Sequence, residues 1–174
     1  MKHYDFADQF RTLYDKAAKL YAAGNSDQAS YFTAAEKAFL AANGITVQNM
    51  FDYAEDHTNY GEPGYDRALA IETVRRDYFL NVQGGKPSSH VIDVAKMPAK
   101  TDAVRGIEWL PRLIPKTKAK LRGELPSSLM YSCGGDRNFL RTHDIHPAEF
   151  LSLVWRNGDN DEATIDWVAK RISK

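Results

Sequence analysis

Apolar side chains recur along this chain at spacings of three and four, the signature of helices that bury one face. Phe6, Phe10, Leu13, Ala17 and Leu20 form the first such stripe, with Asp8, Lys16 and Lys19 off it, and Gly24-Asn25 marks its end. Ser26 or Asp27 then caps a second helix with Ala29, Phe32, Ala35 and Phe39 inward, closed by Asn43-Gly44. Thr46 caps a third, with Val47, Met50, Phe51 and Ala54 inward and Gly61 as its stop. Glu62-Pro63 opens a fourth, which runs through Ala68, Ile71, Val74 and Tyr78 toward Val82.

The pattern breaks at Gly84-Gly85-Lys86-Pro87-Ser88-Ser89, the best linker in the sequence. Residues 90–103 read as irregular chain. Helical spacing resumes with Trp109, Leu110, Leu113, Ile114, Thr117 and Leu121 up to Gly123, with Pro115 predicting a kink or a late start. Asp136 is expected to cap a short helix through Phe139 and Leu140. Pro147 opens another, through Phe150, Leu151 and Val154 to Asn157-Gly158, and Asp161 caps the last, with Ile165 and Val168 inward. The expectation is an all-α fold, a helical bundle of about seven helices in two packed halves. Its parts are an N-terminal bundle over 1–83, a connector over 84–105 and a C-terminal helical part over 106–174.

Composition narrows the class without choosing a function. The chain has 174 residues, 43% hydrophobic and 26% charged, enough apolar content for a core without staples. Lys plus Arg and Asp plus Glu are both 23, so the charge balance points to neither nucleic acid nor an anionic membrane. One cysteine, Cys133, rules out an internal disulfide. Met1-Lys2-His3-Tyr4-Asp5 leads straight into an amphipathic pattern, and no apolar run approaches the roughly 18 residues of a membrane span, so a soluble cytoplasmic protein is expected. The sequence carries no glycine-rich phosphate loop, dinucleotide fingerprint, His-Glu-x-x-His, paired Cys-x-x-Cys or Gly-x-Ser-x-Gly elbow.

Two constellations could carry chemistry. The first is His57, on the apolar face of the third helix, with Glu62, Glu72, Arg75, Arg76 and Asp77 on or before the fourth. An inward imidazole suits general acid/base work, with Glu62 or Asp77 orienting it, and an arginine suits a bidentate grip on an anion. The same residues also suit a core histidine beside ordinary helical ion pairs. The second is Ser132-Cys133-Gly134-Gly135-Asp136, where two glycines before a helix expose amides to an anion and place a thiol beside them, with His143 and His146 near in sequence. Its simpler reading is a turn, a buried Cys133 and an Asp136 cap. No metal site is assigned, since only His143 with His146 has ligand spacing and that pair straddles a helix boundary.

Leu110-Pro111-Arg112, Lys116, Lys118-Ala119, Leu121 and Gly123 form an ordered series that continues with Tyr131, Cys133, Asp136, Phe139, Asp144-Ile145 and Phe150, and then with Asp161-Glu162 and Trp167. On these residues, from about Gly106 to Ile172, the chain resembles an uncharacterised bacterial family, domain of unknown function 5069. The resemblance implies a helical fold and no particular reaction. Pro115 stands where the family tends to have Asp, and Lys118 where it tends to have Arg. Arg112 and Lys116 both match the family and share a helix face at spacing four, where they could bind a phosphate or carboxylate, whereas Lys118, Lys120 and Arg122 read as a solvated surface.

Together these readings lead to a cofactor-independent enzyme acting on a small anionic metabolite by general acid/base chemistry. His57, Glu62 and Asp77 are its expected catalytic residues. Arg75, Arg76, Arg112, Lys116, Cys133 and Asp136 are its expected binding residues. The alternative is a non-enzymatic interaction or regulatory helical domain, using the Arg112 and Lys116 face or the tyrosines Tyr53, Tyr60, Tyr65 and Tyr78.

Overall fold

A computed structural model describes residues 3–173, leaving Met1, Lys2 and Lys174 outside the described residues. The chain forms two compact units, Met1–Lys86 and Pro87–Lys174. The described residues are predominantly α-helical, with eight α-helices and a single two-residue strand pair. Among them no helix is long and apolar enough to cross a membrane.

In the first unit, α1 (Phe6–Ala22) lies along α3 (Val47–Tyr60), and α4 (Gly64–Asn81) packs against both. The stripe read from the sequence is the buried one: Phe6, Phe10, Leu13 and Ala17 are inside, joined by Tyr14. The second helix starts later than expected. Asp27 caps only a three-residue 3-10 turn, Gln28–Ser30, and α2 runs Ala34–Ala42. Thr33 and Glu36 form a reciprocal capping box there, which fixes the start at Ala34. Thr46 caps α3 as expected, and Gly61 closes it in the left-handed conformation.

In the second unit the connector holds a 3-10 turn at Val94–Lys96 and a tight hairpin, β1 (Ala103–Val104) with β2 (Ile107–Glu108). Arg105 and Gly106 both have positive φ, which a two-residue turn of this hand requires. Next come α5 (Leu110–Arg122), α6 (Gly134–Thr142), α7 (Pro147–Asn157) and α8 (Asp161–Ile172), with α7 packed against both α5 and α8. Pro115 does not delay α5, which begins at Leu110 and continues through the proline. The caps of the last helices also differ by a residue or more from the sequence reading: Asn160, not Asp161, caps α8, and Cys133, not Asp136, stands at the N-cap of α6.

Gly44 ends α2 at φ 72°, and a β-carbon there would lie 2.6 Å from Cγ of the buried Phe79. The left-handed backbone and the overlap both oppose a side chain at this position. Gly44→Ala is therefore expected to cost at least about 2 kcal/mol. Thermal unfolding followed by circular dichroism checks it, and an unchanged midpoint would show that Phe79 yields freely.

Candidate functional site

The clearest concentration of buried polar chemistry lies where α5 passes the amino end of α6. Lys116 sits in the middle of α5 and is only 2% exposed. An ammonium that deep must be paired, because the cost of stripping its water is several kcal/mol. Its Nζ donates to Asp136 Oδ2 at 2.7 Å and toward Cys133 Sγ at 3.1 Å. Asp136 is wholly buried and takes two more bonds, from the Trp109 indole Nε1 at 3.1 Å and the Ser132 backbone amide at 2.8 Å. Arg137, also buried, donates to the Ser132 carbonyl at 2.7 Å. One carboxylate thus ties together α5, the residue that starts it and the loop that starts α6.

Local backbone conformation serves this arrangement. Trp109 precedes α5 at φ 69° and Ser132 precedes the α6 N-cap at φ 65°. Each is a residue type for which the left-handed region is costly, about 1–3 kcal/mol. Gly135 is required for a different reason: a β-carbon there would overlap the six-membered ring of Trp109. The indole can lie against α6, with its N–H on Asp136, only because position 135 has no side chain. Tyr131 completes the buried layer. Its hydroxyl donates to the Pro147 carbonyl at 2.8 Å, and burial first, then the charge of Asp136, push its phenol well up from the ordinary value.

The amino end of α6 is left open. Cys133 makes no side-chain cap, and Asp136 is turned back to Lys116, Trp109 and Ser132 instead of the helix amides. Gly134 is exposed and Gly135 and Cys133 are half-buried. The first amides of α6 therefore keep their capacity for an acceptor from outside, at the positive end of the helix.

Comparison with known proteins singles out the same stretch. Residues 97–174 match the family model for a domain of unknown function (DUF5069). The match confirms the resemblance seen in the sequence and begins a little earlier in the chain; residues 1–96 lie outside it. No curated protein and no solved structure matches the chain.

Within the DUF5069 segment the structure brings Lys116, Cys133 and Asp136 together but places Arg112 elsewhere. Arg112 is half-buried and donates to the Pro98 carbonyl at 2.7 Å, so it does not share a ligand surface with Lys116. Lys120 is buried, contrary to its reading as a solvated residue, while Lys118 pairs with Asp161 at 2.7 Å and Arg122 with Asp159 at 3.6 Å. His146 caps α7, its Nδ1 accepting from the Ala148 amide, and His143 stacks edge-on against Phe139 at 4.7 Å. Among the described residues no group of three His, Cys, Asp or Glu side chains is placed to hold a metal ion.

The first-unit residues do not converge. His57 is half-buried, its ring 6.0 Å from that of Tyr14. The His57 Nδ1 and the Tyr14 hydroxyl are both buried without a hydrogen-bond partner, and burial raises the Tyr14 phenol to about 12. Arg76 donates to Asn43 Oδ1 at 2.5 Å and lies over the Phe6 ring. Asn43 precedes α3, whereas His57 stands ten residues into it, roughly 15 Å along the axis at 1.5 Å per residue. The antiparallel hairpin of α3 and α4 therefore sets Arg76 opposite the start of α3, not beside His57. Arg75 is buried over Phe79, and burial lowers its pKa from the guanidinium value. Glu62 pairs with Arg67 at 2.9 Å, and Asp77 is exposed and accepts from Asn81 at 2.7 Å. Glu72, read as a surface ion-pair partner, is buried and accepts from the Tyr53 hydroxyl at 2.7 Å.

Trp109 and Arg137 are the members of the cluster that the sequence reading left out of the site, and Ser132 stood in its second constellation without a role of its own. Trp109 was legible only as the start of an apolar stripe. A buried indole also needs an acceptor for its N–H, and that requirement was the available signal.

Removing Asp136 strands the Lys116 ammonium among apolar side chains. Asp136→Ala is expected to destabilise the second unit by about 3–5 kcal/mol, and adding Lys116→Met to restore part of the loss by removing the unpaired charge. All three tryptophans, Trp109, Trp155 and Trp167, lie in this unit, so urea unfolding followed by tryptophan fluorescence reads it directly. A single-variant loss below about 1 kcal/mol would show that water reaches Lys116.

Proposed function

We propose that the second unit is an enzyme acting on a small anionic metabolite by acid/base chemistry at the amino end of α6. The observation that carries this reading is the cluster in which buried Lys116 contacts both Asp136 and Cys133 beside a helix end that no side chain caps. A phosphate or carboxylate on the metabolite accepts from the Gly134 and Gly135 amides, as anions do at helix amino ends. The charges of Lys116 and Asp136 balance each other, so the positive field at the mouth comes from the helix end and from the Arg137 guanidinium beside Gly134.

Cys133 is the member of the three that is not fully buried, and it stands at the N-cap of α6 beside the open amides. A proton leaving the metabolite would pass to the Cys133 sulfur, which the Lys116 ammonium faces at 3.1 Å. Asp136, held by the Trp109 and Ser132 N–H groups, keeps the ammonium in place and does not touch the metabolite. A non-enzymatic interaction domain is the weaker reading, because two of its expected contact residues, Lys116 and Tyr53, are buried.

A proline tests the anion grip without disturbing the fold. Gly134 is the first residue of α6, a position where proline is favoured, and Cys133 before it is already extended at φ −65° and ψ 173°. A β-carbon at Gly134 meets nothing closer than the Arg137 guanidinium at 3.9 Å. Gly134→Pro should thus fold normally while deleting one amide. Inorganic phosphate at a hundred times its dissociation constant is expected to stabilise the wild-type unit by about 2.7 kcal/mol and the variant markedly less at the same concentration. Equal stabilisation of both, or none of the wild type, would contradict the reading.

A further inference from the structure

A groove of about 380 Å³ opens beside the indole of Trp109 and Gly135, and neither Lys116 nor Asp136 lines it. That volume is in the range of small-molecule sites. Its walls are the Trp109 ring, the Phe139–His143 pair, Ile107 and Ile172, with Asn138 at the rim. Phe139 and His143 stand at 70° to one another, so the groove offers ring edges as well as ring faces. Ile172 is one of the few large apolar side chains among the described residues left substantially exposed, at 39%.

We infer that this groove receives a planar aromatic ring carried by the anion that binds at α6. The inference rests on the proposed function and names the class of its substrate: an aromatic or heteroaromatic phosphate or carboxylate. Gly135 joins the two halves of the site. Its amide belongs to the open end of α6, and the residue lines the groove, where its lack of a side chain lets the Trp109 ring lie against it. An anion on the amides and a ring against Trp109 thus share Gly135 as a common neighbour.

The groove is also built in advance. The indole is fixed by its bond to Asp136 and by the backbone that starts α5, so a ring stacking on it orders nothing new. Burial holds the His143 pKa below its ordinary 6.5, which leaves an uncharged aromatic ring in the wall at neutral pH. The charged side chains at the groove, Lys100 and Glu108, are both exposed and of opposite sign. They give the rim no net preference, so selection for an anion comes from the helix end and selection for a flat ring from the walls.

Phenyl phosphate and methyl phosphate separate the two contributions. Titration of the full chain by calorimetry is expected to show phenyl phosphate binding about tenfold tighter, the scale of one stacking contact with ring burial. Asn138→Trp, at an exposed position on α6, fills the groove mouth and is expected to bring phenyl phosphate down to the affinity of methyl phosphate, with methyl phosphate unchanged. Ile172→Asp, also at an exposed position, should reduce the same preference. Equal affinities of wild type for the two phosphates would overturn the aromatic groove and leave the anion site standing. Binding of neither would overturn both. A preference that survives both substitutions would place the ring elsewhere and overturn the inference.

Discussion

Everything in the second unit is arranged around one buried charge. An ammonium in the middle of α5 cannot stay there without a carboxylate, and the carboxylate cannot stay without donors for its remaining lone pairs. Asp136 meets the first need, and the Trp109 indole and Ser132 amide meet the second. Meeting both forces left-handed backbone at Trp109 and at Ser132 and excludes a side chain at Gly135. The cost is about 1–3 kcal/mol at each strained residue, which an apolar pair in place of Lys116 and Asp136 would avoid.

What the arrangement provides in return is an open helix end. An aspartate in the first turn of α6 would ordinarily satisfy that helix's own amides and neutralise its positive pole. Lys116, Trp109 and Ser132 hold this carboxylate elsewhere, and the half-buried Cys133 occupies the cap position without capping. The same tryptophan that holds Asp136 forms a wall of the adjoining groove. The pair thus fixes the positions of the thiol, the amides and the aromatic wall together.

The sequence conveyed the helices well because their signals are local. Apolar spacing together with cap and stop signals marked a segment at each of the eight α-helices among the described residues, where about seven were expected. Stop glycines closed α3 and α5 where expected, and Thr46 was recognisable as a cap from its own neighbourhood. Errors arose where two local signals competed, as at Asp27 and the Thr33–Glu36 box, or where a proline was given too much weight, as at Pro115. Of the site, Cys133 and Asp136 were legible through the two glycines between them. Lys116 stood out only as a family-matching cation. That it pairs with Asp136, twenty residues on, and not with a ligand beside Arg112 is a tertiary fact that spacing does not encode. The grouping of His57 with Arg75 and Arg76 failed for the same reason: proximity in sequence stood in for register along the α3–α4 hairpin, which places Arg76 at Asn43.

The most direct test is a proton–nitrogen NMR titration of the labelled full chain with inorganic phosphate, following the Gly134 and Gly135 amides. Saturable downfield shifts concentrated on these two amides, with the Trp109 indole N–H held steady on Asp136, are the expected result. Shifts spread over exposed lysines and arginines, with the two glycine amides unmoved, would mean that the open end of α6 is not an anion site and would contradict the proposal.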